Sequence, residues 1–376
     1  YASYDQYLQP LGSGLIKRGL SNLQRLSYGT TRAMRRQKRR EPYNVEIENL
    51  SHEGRGIGHV NGKTVFVNGA LPGEKVIARA LRRRRNFDEA LLEEVLEASP
   101  DRIEPQCKHA TVCGGCSLQH LDADKQIAHK EAVLFELFQH QAGISPGERL
   151  PALRGPQWGY RRKARLGVKF VPKKGGALVG FREKGAPYIA DIESCAVLHP
   201  EVGQRLLELR GLINSLSIPD RIPQIEVAIG DDGVALVVRH LDQLSAADLL
   251  TMAEFQRSTG IGIYLQPGGE NTVHRLDADT ADLSYSVDGV TIDFKPTDFT
   301  QVNGEMNRSM IDLVVSKLEI NSDDQIVDLF CGLGNFSLPM ARRAGSVIGA
   351  EGSLDLINRA NENAQSNDMN NCSFVH

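Results

Sequence analysis

Gln325-Ile326-Val327-Asp328-Leu329-Phe330-Cys331-Gly332-Leu333-Gly334-Asn335-Phe336 runs from an apolar strand into a glycine turn, and a helix follows from about Phe336. Glycine at 332 and 334 lets the backbone approach a ligand closely, and the N-terminus of the next helix faces it. A second apolar run, Ser346-Val347-Ile348-Gly349-Ala350, ends in Glu351, 23 residues after Asp328. A carboxylate at the tip of a second strand is placed to accept hydrogen bonds from a ribose diol. Strand, glycine turn, helix and strand in this order predict a Rossmann-like, doubly wound α/β unit. The full G-x-G-x-x-G spacing is absent, which disfavours a pyrophosphate dinucleotide.

Upstream, Thr297-Asp298-Phe299-Thr300-Gln301-Val302-Asn303 precedes a helix expected over Glu305–Leu318. A neutral amide such as Gln301 can bind the uncharged parts of a cofactor or a base edge. The plainer reading is a capping loop, with Asn303 near the N-cap. Downstream, Cys372-Ser373-Phe374-Val375-His376 alternates like a strand cut partway. Before the glycine turn, residues 202–285 read as an α+β region, with Ile225–Ile229 and Val234–Val238 paired around Gly230-Asp231-Asp232-Gly233.

Six cysteines occur, at 107, 113, 116, 195, 331 and 372. Cys107-x5-Cys113-Gly114-Gly115-Cys116 places three thiols within ten residues, and Cys195 could close a four-thiol site from afar. Four thiolates suit zinc or an iron–sulfur cluster, and the three-plus-one arrangement leans toward [4Fe–4S]. The plainer reading is three ordinary cysteines in a turn. A helix is expected over residues 125–140, with His120, His129 and His140 as surface or core histidines. Trp158-Gly159-Tyr160-Arg161-Arg162-Lys163-Ala164-Arg165 interleaves aromatic and basic residues, which suits stacking and phosphate contact or a solvated basic strand. Lys169, Lys173 and Lys174 extend the positive surface.

Residues 43–97 read as short strands punctuated by glycines, a small barrel of oligonucleotide-binding type. Within it, Glu89–Glu97 is helical by propensity. Arg82-Arg83-Arg84-Arg85 puts four guanidinium groups on one edge, a cluster that suits phosphate. The 376 residues carry a net charge of -3 and 41% hydrophobic residues, an ordinary globular balance. That balance hides 32 Lys+Arg against 21 Asp+Glu in residues 1–200, and 12 against 26 thereafter. A basic half suggests a polyanion partner. No apolar run approaches the ~18 residues of a membrane span, and no signal peptide is evident, so a cytoplasmic protein is expected. The first residue is Tyr1, and Met34 opens a basic run, so residues before Met34 are read as a non-native or upstream extension.

These pieces, in this order, resemble the RNA uracil-5-methyltransferase family, closest to its 23S ribosomal RNA enzymes with an N-terminal TRAM domain and an iron–sulfur cluster. The matching segments include Gly54-Arg55-Gly56-Ile57-Gly58, Gly69-Ala70-Leu71-Pro72-Gly73, Cys113-Gly114-Gly115-Cys116-Ser117-Leu118-Gln119-His120 and Trp158-Gly159-Tyr160-Arg161. Asp191-Ile192-Glu193-Ser194-Cys195, Phe299-Thr300-Gln301-Val302-Asn303 and Asp328-Leu329-Phe330-Cys331-Gly332 continue the match.

The resemblance implies a multidomain α/β and β chain. Residues 1–40 would be a basic extension and 41–98 an OB-like TRAM barrel. Residues 99–285 would be a central α+β iron–sulfur and RNA-binding domain, and 286–376 the first part of an incomplete Rossmann-like methyltransferase domain. It implies a [4Fe–4S] cluster on Cys107, Cys113, Cys116 and Cys195, and S-adenosylmethionine contacts from Gln301, Phe330, Asn335 and Glu351. The implied chemistry flips a uracil out of 23S ribosomal RNA and adds a cysteine thiolate to C6, which makes C5 nucleophilic enough to take the methyl group. The family's nucleophile and general base are expected beyond His376, so no catalytic residue is assigned within the chain, which is expected to be inactive as it stands. A monomer with no membrane partner is expected. Competing readings are the same chemistry on transfer RNA, a non-catalytic RNA-binding scaffold, and a radical methylthiotransferase, whose Cys-x3-Cys-x2-Cys spacing and C-terminal TRAM differ from this order.

Overall fold

The structure, a computed structural model, describes residues 41–278, 280 and 282–376, and the expected extension over residues 1–40 lies outside them. Strands β1 (Tyr43–Leu50), β2 (Arg55–Val60), β3 (Lys63–Asn68), β4 (Lys75–Arg83) and β5 (Phe87–Glu97) close a barrel in the order β1-β2-β3-β5-β4. Alternate residues point inward, so Val45, Ile47, Val65, Val67, Val76 and Ala78 form its core. Gly58 is required where β2 crosses β1, because a Cβ there would fall 2.2 Å from the Glu46 carbonyl oxygen.

One expectation is corrected. Glu89–Glu97 is strand, not helix: β5 runs parallel to β3 and antiparallel to β4, with Ala90 fully buried. Closing the barrel pairs β5 on both sides and removes an exposed edge. That outweighs propensity differences of at most ~0.7 kcal/mol per residue. Beyond the barrel, Glu74 is buried and anchors the next segment. Burial alone would push its carboxyl up, but Arg102 at 2.8 Å and the Leu71 and Ser99 N–H groups hold it below its ordinary range.

Helix α1 (Ala123–Leu137) starts where the Asp122 side chain accepts from the N–H groups of Asp124 and Lys125. One π turn carries it to Ala142, and Gly143 at φ +64° ends it. Strands β6 (Lys163–Val171), β7 (Gly176–Gly180), β8 (Gln224–Ile229), β9 (Val234–Arg239), β10 (Gly262–Gln266) and β11 (His274–Arg275) form a sheet in the order β11-β10-β9-β8-β6-β7. The pair expected around Gly230-Asp231-Asp232-Gly233 is the antiparallel pair β8 and β9. After the short helix α2 (Pro200–Gly203), helices α3 (Leu206–Ser215) and α4 (Ala246–Thr259) contribute to the core on one face of this sheet, with Leu166, Leu209, Ile213, Leu236 and Met252 buried.

The opposite face belongs to a second core. Ala228, Ala235, Val237 and Tyr264 pack there with the hairpin of β12 (Leu283–Val287) and β13 (Val290–Phe294). The hairpin's two-residue Asp288-Gly289 turn has φ of +46° and +73°, the left-handed pair such turns demand. The hairpin spans the expected boundary at residue 285 as one unit. Helix α5 (Gly304–Leu318) leads to three parallel strands, β14 (Gln325–Leu329), β15 (Ser346–Ala350) and β16 (Cys372–Val375), joined by α6 (Ser337–Ala341) and α7 (Leu354–Ser366). Val347 and Phe374 face the second core, whereas Val327, Leu329 and Ile348 are exposed. Among the described residues, no helix is long and apolar enough to cross a membrane.

Candidate functional site

The glycine turn leaves β14 at Asp328, whose carboxylate accepts the Ser337 hydroxyl at 2.6 Å. Burial pushes this carboxyl up, and Ser337 pulls it only part of the way back. Phe330 takes φ +62° and is 89% exposed, while Gly332 and Gly334 lie at φ +57° and +88°. A Cβ added to Gly332 would meet nothing within 4 Å, so the turn opens onto free space. Parallel register pairs Leu329 with Ala350, which brings Glu351 level with the turn. The Glu351 carboxylate accepts the Gly332 N–H at 3.1 Å and the Ser353 N–H at 3.2 Å.

Asn335 exchanges two 2.9 Å hydrogen bonds with Asn307 on α5, and its Oδ1 also accepts from the Tyr285 hydroxyl at 2.9 Å. Its oxygen is therefore saturated, and one amide N–H remains for a ligand. Asn307 and Tyr285 are site residues that sequence reasoning missed. The available signal was an asparagine on the inward face of an amphipathic helix. Gln301 lies on the loop before α5 and shares a pocket with Tyr285, Phe294, Asn307 and Arg308. Two anchors hold that loop: Asp298 pairs with the buried Arg359 of α7 at 2.7 Å, and Asn303 caps α5 by accepting the Met306 N–H at 3.0 Å. Gln301 and Asn335 thus meet through Asn307, while Phe330 and Glu351 flank the turn.

The two cysteines nearest this site are poor nucleophiles. Burial, with the Asp328 and Glu351 carboxylates nearby, pushes the Cys331 thiol up to about 11, and burial pushes Cys372 to about 12. Cys331 also packs where a Cβ on Gly349 would fall 2.8 Å from its sulfur, a place for a small side chain.

Cys107, Cys113, Cys116 and Cys195 line one pocket with Phe181, Ile192 and Val197, and all four are free thiols. The Gly-Gly pair is needed here: a Cβ on Gly114 would fall 3.0 Å from the Arg182 carbonyl oxygen, and one on Gly115 3.0 Å from the Phe181 ring. Gly115 N–H points at the Cys113 sulfur at 3.4 Å. Burial and the neighbouring thiols push Cys113 up; burial does the same to Cys195, against N–H groups of Leu198 and Val197 that favour its thiolate. Among the described residues, no three His, Cys, Asp or Glu side chains converge closely enough to hold a single metal ion. His120, His129 and His140 are not in this pocket's lining; His120 is buried and His129 donates to the Ser51 carbonyl at 3.1 Å.

The two basic clusters differ. Arg82, Arg83, Arg84 and Arg85 are all exposed where β4 turns toward β5. The second cluster is largely engaged inside the protein. Arg162 donates to the Gly230 carbonyl and to Asp231, Lys163 donates to the Pro296 carbonyl, and Arg165 pairs with Glu226.

Comparison with known proteins decides the lineage. A TRAM domain matches residues 36–90, and the family described as tRNA (Uracil-5-)-methyltransferase matches residues 233–376. A 23S rRNA (uracil(1939)-C(5))-methyltransferase from Alkalilimnicola ehrlichii is 52% identical over 343 residues, covering 90% of this chain and 77% of that protein. The protein of the same description from Nitrosococcus oceani is 53% identical over 336 residues, covering 89% and 75%. This chain belongs to the 23S rRNA uracil-C5-methyltransferase family. Within that family the barrel is the TRAM domain, and the glycine turn lies in the part shared with uracil-5-methyltransferases. The crystal structure of Pyrococcus abyssi tRNA (uracil-54, C5)-methyltransferase, in complex with S-adenosyl-L-homocysteine, shares the fold with a TM-score of 0.65 at 20% identity, over 89% of this chain and 79% of that one.

Proposed function

We propose that this protein methylates C5 of a uracil in 23S ribosomal RNA, in the cytoplasm. The observation that carries the reading is the glycine turn with Glu351 across it, in a chain half identical to proteins of that description. S-adenosylmethionine, the methyl donor, would be held by Gln301, Phe330, Asn335 and Glu351. Glu351 offers its carboxylate to a ribose diol while its bonds to Gly332 and Ser353 fix its angle. Asn335 offers one N–H, Gln301 a neutral amide, and Phe330 an exposed ring. Open space over Gly332 admits the ligand against the backbone. The attacking thiolate is drawn from neither Cys331 nor Cys372, whose raised pKa values keep them protonated.

The four pocket cysteines fit a [4Fe–4S] cluster. Four free thiols, some met by N–H donors, line one pocket without a carboxylate, and iron–sulfur clusters are held by such thiolates. Bound there, the cluster would cross-link the 107–116 loop to the segment bearing Cys195, a structural role.

The test is methylation of unmodified 23S ribosomal RNA by the protein expressed from its complete gene. Mass spectrometry should find 5-methyluridine at one ribosomal position. Methylation of transfer RNA instead would move the protein to the other substrate class, and no product on either RNA would end the enzyme reading. Iron and acid-labile sulfide near four each per chain in anaerobically purified protein is the expected result for the cluster; zinc alone would replace it.

A further inference from the structure

We infer that a cleft on the outer face of β6 and β7 holds a single-stranded stretch of the RNA, apart from the cofactor turn. The inference rests on the RNA substrate proposed above. Leu166 and Val168 point into the first core, so Arg165, Lys169 and Val171 of β6 face the other way. They open onto a cleft of about 710 Å³, within the ~300–1,000 Å³ of typical ligand sites. Leu178, paired with Lys169 and only 3% exposed, gives the cleft an apolar floor.

Tyr188 stands over this floor, 69% exposed. Its loop is ordered, because Glu183 N–H donates to the Tyr188 carbonyl at 2.9 Å and Arg182 bridges to Ile189. An exposed ring on a fixed loop is a stacking platform. Four cations line the cleft. Among the described residues, Lys169 and Arg182 have no carboxylate within ion-pair distance. Lys174 holds an exposed pair with Asp191, weak enough to exchange for phosphate, whereas Arg165 stays paired with the largely buried Glu226. Glu183 is the acidic residue on the lining, and Lys169, Arg182 and Lys174 outweigh it.

The cations are spread along a groove rather than gathered on one point. A positive groove with an aromatic platform is how single strands are bound without reading their sequence. The groove also continues. Phe181, Arg182 and Glu183 border a second hollow, of about 360 Å³, that reaches Asn68 and Gly69 of the barrel. Gly185 packs against Leu81, next to the exposed Arg82–Arg85 run. The cysteine loop holds this track in place, since Gly114 N–H donates to the Arg182 carbonyl at 2.8 Å.

The experiment is fluorescence anisotropy of the whole chain with a labelled single-stranded uridine-rich RNA across a salt series. Lys169→Glu/Arg182→Glu should weaken binding at least about tenfold and flatten the log–log salt slope by about 1.4, the ~0.7 per phosphate of single strands. Tyr188→Ala should weaken it by about tenfold with the slope unchanged, and Tyr188→Phe should restore it. Parent-like affinity and slope in both the charge-reversal and the alanine variants would overturn the inference. So would full competition by an equal concentration of uridine 5′-monophosphate, which would make the cleft a site for a free nucleotide. Failure of the parent chain to bind RNA at all would instead strike the proposed function.

Discussion

The cysteine pocket and the glycine turn are built in opposite ways. The turn and its partner acid come from one stretch of 24 residues, Asp328 to Glu351, and open to solvent with Phe330 89% exposed. The cysteine pocket draws Cys195 from 79 residues beyond Cys116 and backs onto the first core through Cys113 and Cys195. A site made by one strand–turn–helix unit needs only local geometry and a neighbouring strand. A site gathered from distant segments depends on everything between them being folded. The turn should therefore tolerate substitutions with local effects on ligand affinity, whereas the pocket should report changes as stability.

The strongest test of that contrast is Cys195→Ser. A group that binds only the folded state contributes its binding free energy to folding, so the loss should be at least about 5 kcal/mol. Thermal denaturation with iron analysis reads it. An unchanged midpoint with the iron gone would show that the pocket folds without help. On the other side, Asp298→Ala leaves Arg359 buried and unpaired, at a cost of about 3–5 kcal/mol. This is the exception that sharpens the contrast, since the loop carrying Gln301 is anchored by a long-range pair. Urea unfolding would measure it, and Asp298→Ala/Arg359→Met should recover much of the loss.

His120, on the cysteine segment but outside the pocket's lining, and Asp328 of the turn should respond oppositely to pH. Burial, then the nearby Arg102 and Lys184, lowers His120 to about 4. The unfolded chain takes up this proton near 6.5, so the contribution is complete above that pH and is lost as pH falls toward 4, about 3 kcal/mol in all. Asp328 runs the other way: its folded carboxyl is raised, so its contribution is present at low pH and lost as pH rises through the folded pKa. Melting curves between pH 4 and 7 should flatten in His120→Gln; an unaltered slope would remove His120 from the account.

The smallest effect is the most local. Glu351→Ala should leave stability within ~1 kcal/mol and lower S-adenosylmethionine affinity by about tenfold to a hundredfold, the loss of charged hydrogen bonds worth about 1.5–3 kcal/mol. Calorimetric titration measures it. A fall in melting temperature like that of Cys195→Ser would mean the turn is no more local than the pocket.

Much of the fold was legible because its signals are short-range. The glycine turn, the strand ending at Glu351, the Asn303 cap and the β8–β9 pair follow from periodicity and turn chemistry within a few residues. The segment Glu89–Glu97 misled because leucine and glutamate favour helices, and only the two neighbouring strands show what barrel closure gains. Asn307 and Tyr285 escaped notice because a polar group's partner lies 28 or 50 residues away, and nothing local marks it. Likewise, Arg162, Lys163 and Arg165 look like a phosphate-binding run until Asp231, Pro296 and Glu226 are seen beside them.

By itself, the sequence determined the order of the parts: a small barrel, a cysteine segment, an α+β region and a glycine turn with its acid. These follow from the alternation of side chains, from glycine's freedom at φ > 0 and from helix caps, all properties of neighbouring residues. The tertiary structure alone decided which cations face solvent and that Tyr188 stands over an open cleft. Those outcomes depend on burial and on partners brought together by the packing of two cores, a balance of long-range terms that no local window contains.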